Sequence, residues 1–127
     1  MAVNGIGHPE KSILVVDDDP LVRDLCAELF DSLHILQVTD ARKAQALLPD
    51  DSIDLVLSNV NLPHIDGLEL LQFIKQQQPD LPVVLMTGSY DKEVLLEALK
   101  GGADDFITRP IDGLQLQFAG NRPPSIE

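Results

Sequence analysis

Cysteine is nearly missing from this chain: of 127 residues only Cys26 carries a thiol, so no internal disulfide can form, which suits a reducing compartment. Positive charge is scarce as well. Nine Lys and Arg stand against 21 Asp and Glu, and the net charge of −12 argues against a nucleic-acid or anionic-membrane surface. No apolar run is long enough to span a membrane, and "MAVNGIGHPEK" lacks the apolar core of a signal peptide, so the expected location is the cytoplasm. Tryptophan is absent, internal repeats and low-complexity blocks are not seen, and the acids form no single solvated run. They fall at Asp17-Asp18-Asp19, Asp50-Asp51 and Asp104-Asp105. What remains is a globular composition, 44% apolar and 24% charged, in a chain long enough for one domain with a real core.

Five short apolar runs alternate with amphipathic segments. "SILVV" (12–16), "HILQV" (34–38), "IDLVLS" (53–58), "PVVLM" (82–86) and "DFIT" (105–108) read as strands. Between them, "PLVRDLCAELF" places Leu21, Leu25 and Leu29 at helical spacing, with Val22, Cys26 and Phe30 widening the stripe. Asp19 is a natural cap for that helix and Pro20 a natural first residue. "DARKAQALL" (40–48) predicts a second helix. "GLELLQFIKQQQ" (67–78) predicts a third, capped by Asp66, with Leu70, Leu71 and Ile74 inward. "DKEVLLEALKGG" (91–102) predicts a fourth, capped by Asp91 and stopped by its glycines. Leu114 and Phe118 allow only a short or incomplete fifth helix between Gly113 and Gly120, and Pro123-Pro124 read as linker or tail.

Strands alternating with helices at this spacing predict an α/β domain, a parallel sheet covered on both faces. In such sheets ligands bind beyond the carboxyl ends of the strands. Those ends carry Asp17-Asp18, Asn59, Thr87-Gly88 and Arg109-Pro110. Paired carboxylates repel at short range, and a hard divalent cation with oxygen ligands relieves that repulsion. A hydroxyl and a fixed cation opposite suit a tetrahedral phosphoryl oxyanion. The set reads as a Mg²⁺–phosphoryl site that lacks a nucleophile.

In order, "ILVVDDDPLVR", "DLVLSNVNLPHIDGLELL", "PVVLMTG" and "GADDFITRP" resemble the motifs of the receiver domain of two-component response regulators, over Ile13 to about Ile111. The resemblance implies a flavodoxin-like, doubly wound sheet of five parallel strands in the order 2-1-3-4-5. It implies a receiver over 12–119, with tails at 1–11 and 120–127. It also implies that Asp18 ligates Mg²⁺ directly, that Asp17 does so mainly through water, and that the carbonyl of Asn61 completes the protein ligands. Thr87 and Arg109 would grip the phosphoryl group, Phe106 would be the switch aromatic, and the Arg109–Pro110 bond would be cis. A histidine kinase or other signalling protein is the implied partner, and an effector domain or a second copy would meet the face of the fourth helix and fifth strand.

Two departures qualify this. Asn59 stands where the family carries its phosphorylated aspartate, and Arg109 where it carries lysine. A neutral amide forms no stable acyl phosphate, and losing the carboxylate weakens the Mg²⁺ site. Arg is longer and forked, and its guanidinium is expected to pair with Asp17 or Asp18. Three readings of Asn59 stand side by side: a natural, degenerate receiver working through protein contacts without phosphorylation; a conventional receiver carrying an engineered Asp→Asn change; and a structural amide satisfying loop backbone. No enzymatic activity is expected. The competing classes are a Mg²⁺-dependent phosphohydrolase with Asp17 as nucleophile, and a flavin carrier, for which "DDDP" supplies repulsion in place of a phosphate loop. His64 reads as a solvated loop residue, and Phe106 and Cys26 as core packing first.

Overall fold

The structure, a computed structural model, describes residues 11–29, 34–48, 52–88 and 91–108. Five strands and four helices alternate along the chain: β1 (Ser12–Val16), α1 (Pro20–Leu29), β2 (His34–Val38), α2 (Ala41–Leu47), β3 (Ile53–Asn59), α3 (Gly67–Gln77), β4 (Val83–Thr87), α4 (Lys92–Lys100) and β5 (Asp105–Thr108). All strand pairs are parallel, and the sheet order is β2-β1-β3-β4-β5, the order expected from the sequence. The chain winds outward in one direction from β1 to β2, then reverses through β3 to β5. The reversal leaves a crevice at the carboxyl ends of β1 and β3.

Each helix starts where a side chain satisfies free backbone N–H groups. Asp19 Oδ1 accepts from Leu21 N at 2.9 Å ahead of α1, and Asp40 Oδ1 accepts from Lys43 N at 2.9 Å ahead of α2. Before α3, Asp66 and Glu69 form a reciprocal capping box, and Asp91 caps α4 through Glu93 N. α4 ends at Lys100, and Gly102 takes the left-handed conformation, φ 94°, that closes it.

The sheet buries two apolar layers. On one face Leu14 and Val16 of β1, Val56 of β3 and Val83 and Leu85 of β4 pack against Ala41, Ala44 and Leu48, against Leu70, Leu71 and Ile74 of α3, and against Ala98 of α4. On the other, Ile13, Val15, Leu57, Val84, Met86 and Ile107 pack with Val22 and Cys26 of α1. At about 1.5–3 kcal/mol per large buried side chain, these layers hold the fold together. At the amino-terminal edge, the Lys75 ammonium donates to the carbonyl of Leu81 at 2.7 Å and meets Asp104 Oδ2 at 3.2 Å; the same oxygen accepts from Val83 N at 2.8 Å.

Two expectations shift. The stripe of α1 centres on Val22 and Cys26, whereas Leu21 is 71% exposed, because at 100° per residue it falls on the helix's solvent shoulder. β3 runs one residue further than expected and β4 is displaced by one, since Asn59 pairs with Met86 and Val60 N donates to Met86 O at 2.7 Å. Asn59 and Thr87 are therefore the last residues of their strands, at the strand ends where the sequence reading put them. In α4, Val94 and Leu95 are half-buried while Leu96 and Leu99 are 44% and 54% exposed. The fifth helix, Arg109, the Arg109–Pro110 bond and the carboxyl-terminal tail lie outside the described residues, as do residues 1–10 of the amino-terminal tail.

Candidate functional site

The register places the crevice residues. Val16 pairs with Ser58, so the next residue of each strand path brings Asp17 beside Asn59; Asn59 pairs with Met86, so Thr87 follows on the far side. Thr87 in turn pairs with Thr108, the last described residue before Arg109. Asp17, Asn59 and Thr87 line three adjacent strand ends, all three buried, with Asn59 8% and Thr87 4% exposed. Asp18 and Asn61 are exposed at the rim, and Phe106 is half-buried against the core layer of α2, α3 and α4.

A buried carboxylate is costly unless hydrogen-bonded. Asp17 is held at every polar group of its backbone and at its side chain. Its N–H donates to Val38 O at 3.0 Å, its carbonyl accepts from Gln37 Nε2 at 3.1 Å, and its Oδ1 accepts from Asp19 N at 2.9 Å. Below it, burial first and the negative charge of Asp17 second push the Cys26 thiol up to about 11. Asn59 repeats the local pattern: its Oδ1 accepts from Asn61 N, two residues on, at 3.2 Å, and its carbonyl accepts from Ser58 Oγ at 3.0 Å. The structural reading of Asn59, an amide satisfying loop backbone, has its hydrogen bond.

The loop beyond Asn59 is tightly folded. His64 is exposed and sits at φ 71°, a left-handed conformation that costs a non-glycine residue about 1–2 kcal/mol, and Ile65 N donates to Pro63 O at 2.8 Å across it. The chain then returns so closely that a Cβ on Gly67 would lie 2.8 Å from Val60 Cα, and Gly67 N donates to Val60 O at 2.8 Å. Only glycine fits there.

Gln37 escaped notice in the sequence: it lies on β2, a half-buried edge strand, where a polar residue is ordinary. Its Nε2 reaches Asp17, while its Oε1 is buried with no hydrogen-bond partner among the described residues. An unpaired buried carbonyl of this kind costs about 1–3 kcal/mol.

The comparisons with known proteins agree with the fold. Residues 13–119 match the response regulator receiver domain. The chain belongs to that family. It is 39% identical over 102 residues to the transcriptional regulatory protein FixJ of Bradyrhizobium diazoefficiens, covering 79% of this chain and 50% of FixJ. It is 36% identical over 103 residues to the C4-dicarboxylate transport transcriptional regulatory protein DctD of Pseudomonas aeruginosa, covering 80% of this chain and 22% of DctD. Among solved structures, the receiver domain of NtrX from Brucella abortus superposes with a TM-score of 0.77 at 37% identity, over 85% of this chain and 93% of that one. The receiver spans only about a fifth to a half of the first curated relatives it matches. It is a signalling module of two-component response regulators, a family that is generally not enzymatic. Among the described residues no helix is long and apolar enough to cross a membrane.

Asp17, Asp18, Asn59 and Asn61 offer only oxygen donors, the chemistry a Mg²⁺-class cation requires. The charge is thinner than that of a three-carboxylate site, since Asn59 is neutral. Among the described residues no group of three or more His, Cys, Asp or Glu side chains gathers in a metal-binding cluster.

Proposed function

We propose that this receiver is degenerate: it accepts no phosphoryl group and signals through protein contacts. The observation that carries the reading is Asn59, the buried last residue of β3, whose amide oxygen is engaged by Asn61 N. Phosphoryl transfer to a receiver requires an anionic side-chain oxygen at that position, and a neutral amide supplies none. Asp17 and Asp18, with the oxygens of Asn59 and Asn61, would hold Mg²⁺ more weakly than a site with three carboxylates. When bound, the cation offsets the repulsion of the acid pair and of an incoming oxyanion. Thr87 is the contact for such an oxyanion, Phe106 the aromatic that responds to it, and Arg109 the cation that offsets the acids in place of lysine, paired with Asp17 or Asp18.

The partners in this reading are signalling proteins: a histidine kinase, or an effector domain or second copy reached through the α4–β5 face, where Leu96 and Leu99 are exposed. The net charge of −12 speaks against nucleic acid on this module, and the reading places it in the cytoplasm. The test is incubation of the chain and of its Asn59→Asp variant with acetyl phosphate and Mg²⁺, followed by intact-mass measurement. The unaltered chain gains nothing, and Asn59→Asp gains one phosphoryl mass. A phosphoryl adduct on the unaltered chain overturns the proposal.

A further inference from the structure

Gln37 sits on β2, opposite Val15 of β1, on the sheet face where Ile13, Val15 and Cys26 form the apolar layer beneath α1. The residue is half-buried, but both ends of its amide are turned away from water. One end donates to the carbonyl of Asp17, and the other buries an oxygen that finds no partner among the described residues. An apolar side chain of the same length would remove the orphan oxygen but leave the buried Asp17 carbonyl without its donor, so on stability the two choices roughly balance and the amide is not explained by stability alone. Its geometric effect is specific. The peptide group is planar, so pinning the carbonyl of Asp17 also fixes the N–H of Asp18 and the direction in which the chain leaves for the rim. Asp17 N is already tied to Val38 O. Together the two bonds from β2 clamp both sides of Asp17 and prevent the Asp17–Asp18 peptide from turning over.

We propose that Gln37 is a positioning residue of the acid pair: it presets Asp17 and Asp18 for a divalent cation from a neighbouring strand, without touching the cation. This rests on the reading of the crevice as a cation–phosphoryl site. It assigns a role to a residue outside the crevice. A preset pair loses less conformational freedom on binding, so the amide contributes to affinity rather than to folding.

The experiment uses Asn59→Asp, which restores the third carboxylate, alone and combined with Gln37→Met, a near-isosteric apolar change. Mg²⁺ affinity is measured by calorimetry, thermal unfolding is measured in EDTA, and the Asp18 amide is followed in a ¹H–¹⁵N spectrum without metal. The expected result is a split. Gln37→Met leaves the unfolding midpoint nearly unchanged, since one unpaired carbonyl replaces another, lowers Mg²⁺ affinity about five- to tenfold, and shifts or broadens the Asp18 amide. Unchanged affinity overturns the inference, as does an affinity loss accompanied by a falling midpoint, which marks Gln37 as structural. Should Asn59→Asp alone bind no Mg²⁺, the reading of the crevice fails and this inference with it; binding by Asn59→Asp that ignores Gln37 sinks the inference alone.

Discussion

The side-chain oxygen of Asn59 accepts the backbone N–H of Asn61 at 3.2 Å, so the residue at the acceptor position holds its own loop in place. An aspartate can make the same bond but adds a third negative charge beside Asp17 and Asp18. Unit charges about 4 Å apart interact by roughly 4 kcal/mol at an effective dielectric of 20. Asn59→Asp is therefore expected to lose about 1–2 kcal/mol of stability in EDTA at neutral pH, after loop relaxation. Millimolar Mg²⁺ restores it, because binding to the folded state alone raises stability. The unaltered chain shows a smaller response to the same Mg²⁺. Equal thermal shifts for both proteins would contradict the charge argument.

The approach of α3 to the end of β3 gives the next prediction. A Cβ at Gly67 would meet Val60 Cα at 2.8 Å and the Asn59 carbonyl carbon at 3.1 Å, both backbone atoms that cannot swing aside. Gly67→Ala should cost about 2–3 kcal/mol in urea unfolding, against the small gain that Ala ordinarily brings to a helix. A neutral outcome would mean that α3 can slide away from the crevice.

Cys26 supplies a pH signature. Its thiol titrates near 11 in the folded chain against 9.0 for an unperturbed thiol. The unfolded chain then releases its proton first as pH rises, so stability contributed by the protonated thiol is complete below pH 9 and declines between pH 9 and 11, by up to about 2 kcal/mol. Subtracting the profile of Cys26→Ala isolates this slope from that of other groups. A thiol reagent at pH 8 should likewise leave the native protein untouched and label it fully in urea.

Much of this was legible in the sequence because the strands are continuous apolar runs and three of the helices open on Asp19, Asp66 and Asp91, signals that depend only on neighbouring residues. The positions of Asp17, Asn59 and Thr87 at adjacent strand ends followed from topology. Leu21 misled because helical spacing marks a stripe but not which edge of it meets solvent. Gln37 was invisible for a different reason. Its bond to Asp17 joins two strands 20 residues apart in sequence, and nothing local distinguishes an amide that braces a neighbour from one that merely faces water. The left-handed turn at His64 was equally hidden, since histidine announces no such conformation as glycine does.

The knot at Lys75 and Asp104 has a mechanical meaning. It binds the end of α3, the segment before β4 and the entry to β5 at the edge of the sheet remote from Thr87. The amino-terminal end of β4 is therefore tied to α3 and to the entry of β5, while Thr87 closes the opposite end of the same strand.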